Sequence, residues 1–241
     1  EYAHLPLVLG SDKKRLSKRH AATSLQEYKE LGYLDSAILN TLARLGWSRG
    51  EKEVFYLEDL IKEFNINEVQ KAGAIFDITK LDFLNSQHMA NLNLEEFISH
   101  LEPFLKSKQI DVNSHPKKEL LIDSMRSSAN NLEGIALNLV CYFHDVNEYN
   151  QKAIDKFIGS SDEVLIDLKE KLMNLDDWNE DSIDKLLVTY REEKELSVPK
   201  VNQPLRIALT GSTQSPSLGM TLSLFEKEEA ILRIEKLINF I

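Results

Sequence analysis

Five basic side chains stand close together near one end of the chain, at Lys13, Lys14, Arg15, Lys18 and Arg19, with Ser17 and His20 among them. In Arg15-Leu16-Ser17-Lys18-Arg19 each residue type has a use for phosphate. Lysine supplies a mobile point charge, arginine a planar donor fork, and serine a neutral hydroxyl. The stretch GSDKKRLSKRHAATS is flanked by Gly10 and Ser24, the composition of a loop. A mobile cationic loop of this kind can steady the charge that builds on a triphosphate as pyrophosphate leaves. A solvated basic loop has the same composition, so the segment alone does not assign the chemistry.

The rest of the chain opposes this charge. Residues 1–20 hold five bases against two acids in a chain whose formal net charge is −10. One basic focus on an acidic chain suits a local anion site better than a broad polyelectrolyte-binding face. The apolar content of 42% and charged content of 28% are those of a globular protein. No apolar run approaches the roughly 20 residues that cross a bilayer, so no membrane partner is expected. The single cysteine, Cys141, excludes an internal disulfide and a cysteine-rich zinc site, and a reducing, cytoplasmic setting fits. Set in LNLVCYFHD, it reads as a small buried hydrophobe. The six histidines show no metal-ligand spacing, so no metal is expected. The pairs Asp176-Asp177 and Glu192-Glu193 read as solvated helix surface, and Trp47 and Trp178 as packing anchors.

The elements that must carry the loop are nearly all helical. HLPLVLG, residues 4–10, reads as a short buried strand. With no other strand near it, its partners are expected upstream of residue 1. The first residues, Glu1-Tyr2, agree with a piece of a longer protein. Ser24 suits the N-cap of LQEYKEL, and Gly32 its end. In LDSAILNTLARLGW, residues 34–47, the helical period puts Leu34, Ala37, Ile38, Thr41, Leu42 and Leu45 on one face. Helices also fit LEDLIKEF, residues 76–89, NLNLEEFISHLEPFLKS with Asn93 as cap, and PKKELLIDSMRS with Pro116 in its first position. NLEGIALNLVCYFHD, SSDEVLIDLKEKLMNL, NEDSIDKLLVTYREEKEL, QPLRIALTG and KEEAILRIEKLINF complete the set. The fold class is therefore mainly α, with a short remnant strand at the N-terminus. The weakest junction is HMANLN, which divides the chain into regions 1–90 and 91–241.

With HLPLVLG before the basic loop and HAATSLQEYKELGYLDSAILNTLARLGWSRGEKEVF after it, the chain resembles bacterial, proteobacterial-type glutamyl-tRNA synthetases of class I. The resemblance continues through FDITKLDFLN to PLRIALTGSTQSPSL and so covers essentially the whole chain. The loop corresponds to the KMSKS signature, which in this family usually reads KLSKR followed by HGA. Arg15 replaces its first lysine and Ala21 the usual glycine. The resemblance implies a ligase that activates L-glutamate with ATP and Mg2+ and esterifies it to tRNA-Glu. Lys18 would be the catalytic contact to the ATP phosphates, with Arg15 and Ser17 completing the ATP-binding loop. The family's nucleotide fold, HIGH signature and glutamate pocket have no counterpart here. The chain thus corresponds to the C-terminal half: a KMSKS loop and stem-contact region over 1–90, and an all-helical anticodon-binding region over 91–241. Alone it is expected to be inactive, monomeric and without a bound cofactor.

By the same resemblance, Arg206 and the turn Ser215-Pro216-Ser217-Leu218 would meet anticodon bases. Planar donors and a proline-centred turn suit unstacked bases. Ser128, in RSSANNLEG, stands where family members that accept only tRNA-Glu often carry an arginine. A serine cannot make that bidentate contact, though Arg126 or Asn130 are available nearby in sequence. Two alternatives therefore stand beside the main reading: an enzyme that also charges tRNA-Gln, and a non-catalytic helical tRNA-binding module.

Overall fold

The structure is a computed structural model that describes residues 6–16, 24–159 and 162–241. Ser17, Lys18, Arg19 and His20 lie outside the described residues. The elements run β1 (Val8–Leu9), α1 (Leu25–Glu30), α2 (Asp35–Ala43), α3 (Leu57–Glu63), β2 (Ala74–Ile75), α4 (Ile78–Asn91), α5 (Leu94–Ser107), α6 (Lys118–Met125) and α7 (Leu132–Leu139). They continue with α8 (Gln151–Phe157), α9 (Asp162–Met173), α10 (Glu180–Glu193), α11 (Val198–Thr210), α12 (Leu218–Leu224) and α13 (Lys227–Phe240). The chain forms two compact units, one of residues 1–107 and 129–137, the other of 108–128 and 138–241. No described helix is long and apolar enough to cross a membrane.

In the first unit β1 does find a partner inside the chain, which corrects the expectation of upstream partners. It pairs in parallel with β2, Val8 opposite Ala74 and Leu9 opposite Ile75. The link was not visible in the sequence because β2 is two residues long and adjoins the start of a helix. β1 is also only half-buried, since a two-stranded ribbon covers little of either strand. Behind the ribbon lies an aromatic core of Tyr28, Tyr33, Ile38, Phe76 and Leu81, with Val8, Leu16 and Leu45 packed against it. The Tyr28 ring sits 5.6 Å from both Tyr33 and Phe76.

Local chemistry sets the helix ends. Ser24 and Glu27 form a reciprocal capping box, with Glu27 N–H donating to Ser24 Oγ at 3.2 Å and Ser24 N–H to Glu27 Oε2 at 3.1 Å. Asn93 and Glu96 do the same for α5, at 2.9 and 3.1 Å. α2 stops at Ala43, short of the expected residue 47, and Leu42 is exposed. Its inward place is taken by Asn40, wholly buried, whose amide N–H donates to the Glu53 carbonyl and whose Oδ1 accepts from Phe55 N–H at 2.9 Å. Pro116 precedes α6 by two residues instead of opening it. Trp47 is buried against Phe55 and Phe64, as a packing anchor should be.

His88 completes the Asn40 cluster and gives this unit a pH response. Its Nε2 lies 3.1 Å from Asn40 Oδ1, an acceptor, so Nε2 carries the proton; Nδ1 is buried without a hydrogen-bond partner. Burial lowers the His88 pKa below its ordinary value, and burial likewise lowers that of His115 in the second unit. A base with a depressed folded pKa leaves the unfolded chain binding more protons as pH falls below about 6.5. Stability is therefore full above pH 7 and declines as pH drops from about 6.5 toward 5, by at most about 1.4 kcal/mol per pH unit for each histidine. Urea titrations across pH 5–7.5 are expected to show this slope, and His88→Gln, which keeps a donor for Asn40, to remove the first unit's share. Equal slopes in both proteins would refute the assignment.

In the second unit α9 packs on α13, α10 on α12, and α11 on α8, α12 and α13. Leu165, Leu168 and Leu172 of α9, Ile183, Leu187 and Tyr190 of α10, and Leu205, Ala208 and Leu209 of α11 are buried. Two helices of this unit, α8 and α12, had no forecast. Each has seven residues, too few for a periodic pattern to stand out, and α12 (LGMTLSL) is poor in helix formers. Their caps do carry a signal: Asn150 Oδ1 accepts from Ala153 N–H and Ser217 Oγ from Met220 N–H.

Candidate functional site

The described start of the basic loop is an ordered turn. Gly10 N–H donates to the Lys14 carbonyl at 2.8 Å, Lys13 N–H to the Gly10 carbonyl at 3.0 Å, and Lys14 N–H to Asp12 Oδ1 at 2.9 Å. Lys13 takes a positive φ of 61° to close the turn. The chain then doubles back on β1, with Leu16 N–H on the Val8 carbonyl at 3.0 Å. Leu16 enters the aromatic core, and Arg15, exposed, sits beside Leu9 at the ribbon's end. Of the expected ATP-binding set only Arg15 falls within the described residues. Lys18 and Ser17 do not.

The second cluster lies wholly in the second unit. α11 ends at Gly211, whose φ of 70° turns the chain out of the helix and starts the 211–217 loop. Arg206, one turn before that end and half-buried, reaches across the loop. Its Nε–H donates to Ser215 Oγ at 2.7 Å and its Nη2–H to the Pro216 carbonyl at 3.1 Å. Among the described residues no carboxylate pairs with it; burial lowers the pKa of a guanidinium that stays charged at any working pH. The loop is also held from α10, by Ser217 O–H donating to Glu180 Oε1 at 2.8 Å and Gly219 N–H to Asp184 Oδ1 at 3.1 Å. A Cβ on Gly219 would stand 2.4 Å from that same carboxylate, so a larger residue would push the Asp184 side chain aside and loosen this bond.

Ser215 and Pro216 then form one wall of a cavity of about 240 Å3, with Gln214 beside them. The opposite wall is Ser124, Met125, Ser127, Ser128 and Asn138. Asn138 fixes the loop through Nδ2–H donated to the Ser128 carbonyl at 3.0 Å. Ser128 Oγ is buried and makes no hydrogen bond within the protein. The cavity is thus neutral, hydroxyl- and amide-lined, with one buried hydroxyl unsatisfied. Its hydroxyls and amides offer both donors and acceptors to a small polar group.

The structure therefore brings Ser128, Ser215 and Pro216 to one cavity, with Arg206 bracing its wall. Leu218 stands apart: it opens α12 and is only 2% exposed, a core residue that supports the loop's end from below and offers no surface of its own. Arg126 is engaged with Asp123, Nε to Oδ1 at 2.9 Å, and Asn130 belongs to the other unit, its carbonyl accepting from Asn85 Nδ2–H. Sequence reasoning missed Asn138, Gln214, Glu180 and Asp184, which carry no motif and are recognisable only once α10, α11 and the loop are assembled. Cys141 is as expected: burial raises its pKa to about 12, and its thiol donates to the Asn138 carbonyl at 3.4 Å, so it is no nucleophile. No group of three or more His, Cys, Asp or Glu suited to a metal ion occurs among the described residues.

Residues 96–238 match the family described as anticodon binding domain, and residues 1–83 match the catalytic domain of class I tRNA synthetases (E and Q). Glutamate–tRNA ligase 1 of Campylobacter hominis is 36% identical over 99% of this chain and 51% of its own length. The glutamate–tRNA ligase of Thermodesulfovibrio yellowstonii is 38% identical over 99% and 52%. A crystal structure of a glutamate tRNA ligase from Elizabethkingia meningosepticum, in complex with its amino acid, superposes with a TM-score of 0.80 at 30% identity, covering 99% of this chain and 51% of that one. The chain spans about half the length of the curated relatives it matches. It belongs to the anticodon-binding domain family of the class I tRNA synthetases, and its relatives along its whole length are bacterial-type glutamate–tRNA ligases.

Proposed function

We propose that this chain is the tRNA-reading and loop-bearing half of a glutamyl-tRNA synthetase. The functional division falls near residue 90: the KMSKS loop and stem-contact region before it, anticodon recognition after it. The observation that carries the reading is the cavity shared by Ser128, Ser215 and Pro216, with Arg206 behind it, in a chain of anticodon-binding family. The anticodon of tRNA-Glu enters this region, one base edge in the cavity. Leu218, buried beneath the loop's end, serves the tRNA site by packing, not by contact. Arg206 adds an uncompensated charge beside the RNA backbone, with donors beyond the two spent on the loop.

At the other end Lys18, with Arg15 and Ser17, takes the phosphates of ATP, which enters with Mg2+. The whole enzyme joins ATP, L-glutamate and tRNA; this chain by itself forms no glutamyl-adenylate and acts as a cytoplasmic monomer. A second reading, that tRNA-Gln is also accepted, is favoured by Ser128, whose unpartnered hydroxyl stands where an arginine would exclude the wrong last base.

Filter binding separates these statements. The chain is expected to hold tRNA-Glu at least tenfold more tightly than the same transcript with its anticodon replaced, with affinity falling steeply in salt. Arg206→Ala is expected to remove about tenfold, through the loss of one charge and of the loop's brace. Equal binding of both transcripts would defeat the reading. Pyrophosphate exchange by this chain alone would defeat the claim of inactivity, and charging assays of the intact enzyme on both tRNAs decide the second reading.

A further inference from the structure

Thr221, on α12, is wholly buried and can touch no RNA, yet its hydroxyl lies at the end of the loop's hydrogen-bond chain. Thr221 Oγ1 is 2.9 Å from the Ser217 carbonyl and 2.9 Å from Ser215 Oγ. Arg206 Nε–H is 2.7 Å from the same Ser215 oxygen. Each hydroxyl has one proton to give, and carbonyls and guanidinium have fixed roles. A carbonyl can only accept, so Thr221 gives its proton to Ser217. Its lone pair is then open to Ser215 at 2.9 Å, with the Pro216 carbonyl at 3.1 Å as the alternative acceptor of the same proton. Arg206 can only donate, so Ser215 accepts from it.

The result is a one-way relay, Arg206 to Ser215 to Thr221 to the Ser217 carbonyl, in which every hydroxyl proton is used. One Ser215 lone pair is taken by Arg206 and one remains. We propose that Thr221 is a positioning residue of the loop: bonded to both the Ser217 carbonyl and Ser215 Oγ, it fixes Ser215 at the cavity wall, where the Ser215 proton is spent within the loop and its oxygen meets a ligand as an acceptor only. The loop then recognises a base edge that offers an N–H, and rejects one that offers only a carbonyl or ring nitrogen there. This rests on the reading that the 214–218 loop meets anticodon bases.

The test compares affinity for tRNA-Glu with affinity for anticodon-replaced tRNA, as a ratio, in this chain and in Thr221→Val, Thr221→Ser, Ser215→Ala and Ser215→Ala/Thr221→Val. Thr221→Val is expected to cut the ratio about fivefold, mainly by loss of cognate binding, and Thr221→Ser to restore it to within twofold. The double variant is expected to be no worse than Ser215→Ala, because both changes break one link. A structural role for Thr221 would lower the melting temperature and leave the ratio unchanged. A ratio unchanged in Thr221→Val, or additive losses in the double variant, overturns the relay while leaving the anticodon reading intact. A wild-type ratio near one overturns that reading, and the relay's function with it. Should Thr221→Val fail to fold, Thr221→Cys, close in volume and a poor donor, makes the same comparison.

Discussion

Arg233→Met is expected to destabilise the second unit by about 3 kcal/mol, although the residue lies far along the chain from every expected contact with RNA or ATP. Arg233 is 6% exposed, and its guanidinium joins three segments. Nη1–H donates to the Leu209 carbonyl at 2.9 Å, in the last turn of α11, and Nη2–H to the His144 carbonyl at 3.2 Å. Nε and Nη2 share Glu229 Oε1 at 3.1 and 2.8 Å, and the guanidinium carbon lies 4.6 Å from the centre of the Phe225 ring. Methionine keeps the bulk and the ring contact but leaves both carbonyls unpaired, each costing about 1–3 kcal/mol. The Glu229 pair adds less, because that carboxylate is 44% exposed and can turn to water when the guanidinium is removed. In a Trp47→Phe background Trp178 alone reports on this unit, its Nε1–H being bonded to the Phe225 carbonyl at 2.9 Å. Urea unfolding followed there should give the loss directly. Arg233→Lys should rescue little, since one ammonium cannot span the divergent carbonyls. A loss below about 1 kcal/mol in Arg233→Met would refute the argument.

That arginine marks where the sequence stopped being readable. Helices with a long apolar stripe and a good cap were legible, as at Ser24-Glu27 and Asn93-Glu96, because these signals are local and periodic. α12 was not, because Gly219, Thr221 and Ser223 disfavour an isolated helix; Ser217, Asp184 and burial against α10 impose it. Leu42 was assigned inward on period alone, and Asn40 displaced it because a buried amide satisfies the Glu53 and Phe55 backbone groups. β2 was unreadable because two residues carry no pattern.

The candidate site divides in the same way. Arg206, Ser215, Pro216 and Ser128 were named through resemblance, and their spacing in sequence says nothing of a shared cavity. Asn138 and Thr221 escaped altogether: a lone asparagine and a lone threonine gain meaning only from the atoms set against them. Arg206 shows the limit of residue type as a guide. Read as a donor for bases, it spends Nε and Nη2 on its own loop, which makes it a brace first and an RNA contact second.

Gly32→Ala is expected to be more damaging to the first unit than any loss of a single hydrogen bond there. Gly32 ends α1 with φ +84°, a conformation that costs alanine about 1 kcal/mol by itself. The larger penalty is steric. A Cβ would stand 2.5 Å from Glu133 N and 2.8 Å from Leu132 N, backbone atoms at the start of α7 that cannot rotate away. The Gly32 carbonyl also accepts from Leu132 N–H at 3.0 Å, so relieving the clash breaks the bond that seats this helix start. Nearby, Asn85 accepts from Leu34 N–H at 2.9 Å and donates to the Asn130 carbonyl at 2.7 Å, tying the same two stretches together. Shifting one strains the other. A destabilisation of about 3 kcal/mol or more follows, with early loss of amide protection at Leu132 in hydrogen exchange. Asn85→Ala, which leaves the backbone in place, should cost about 2 kcal/mol. If Gly32→Ala proves milder than Asn85→Ala, the close approach of the two backbones is not what holds this junction.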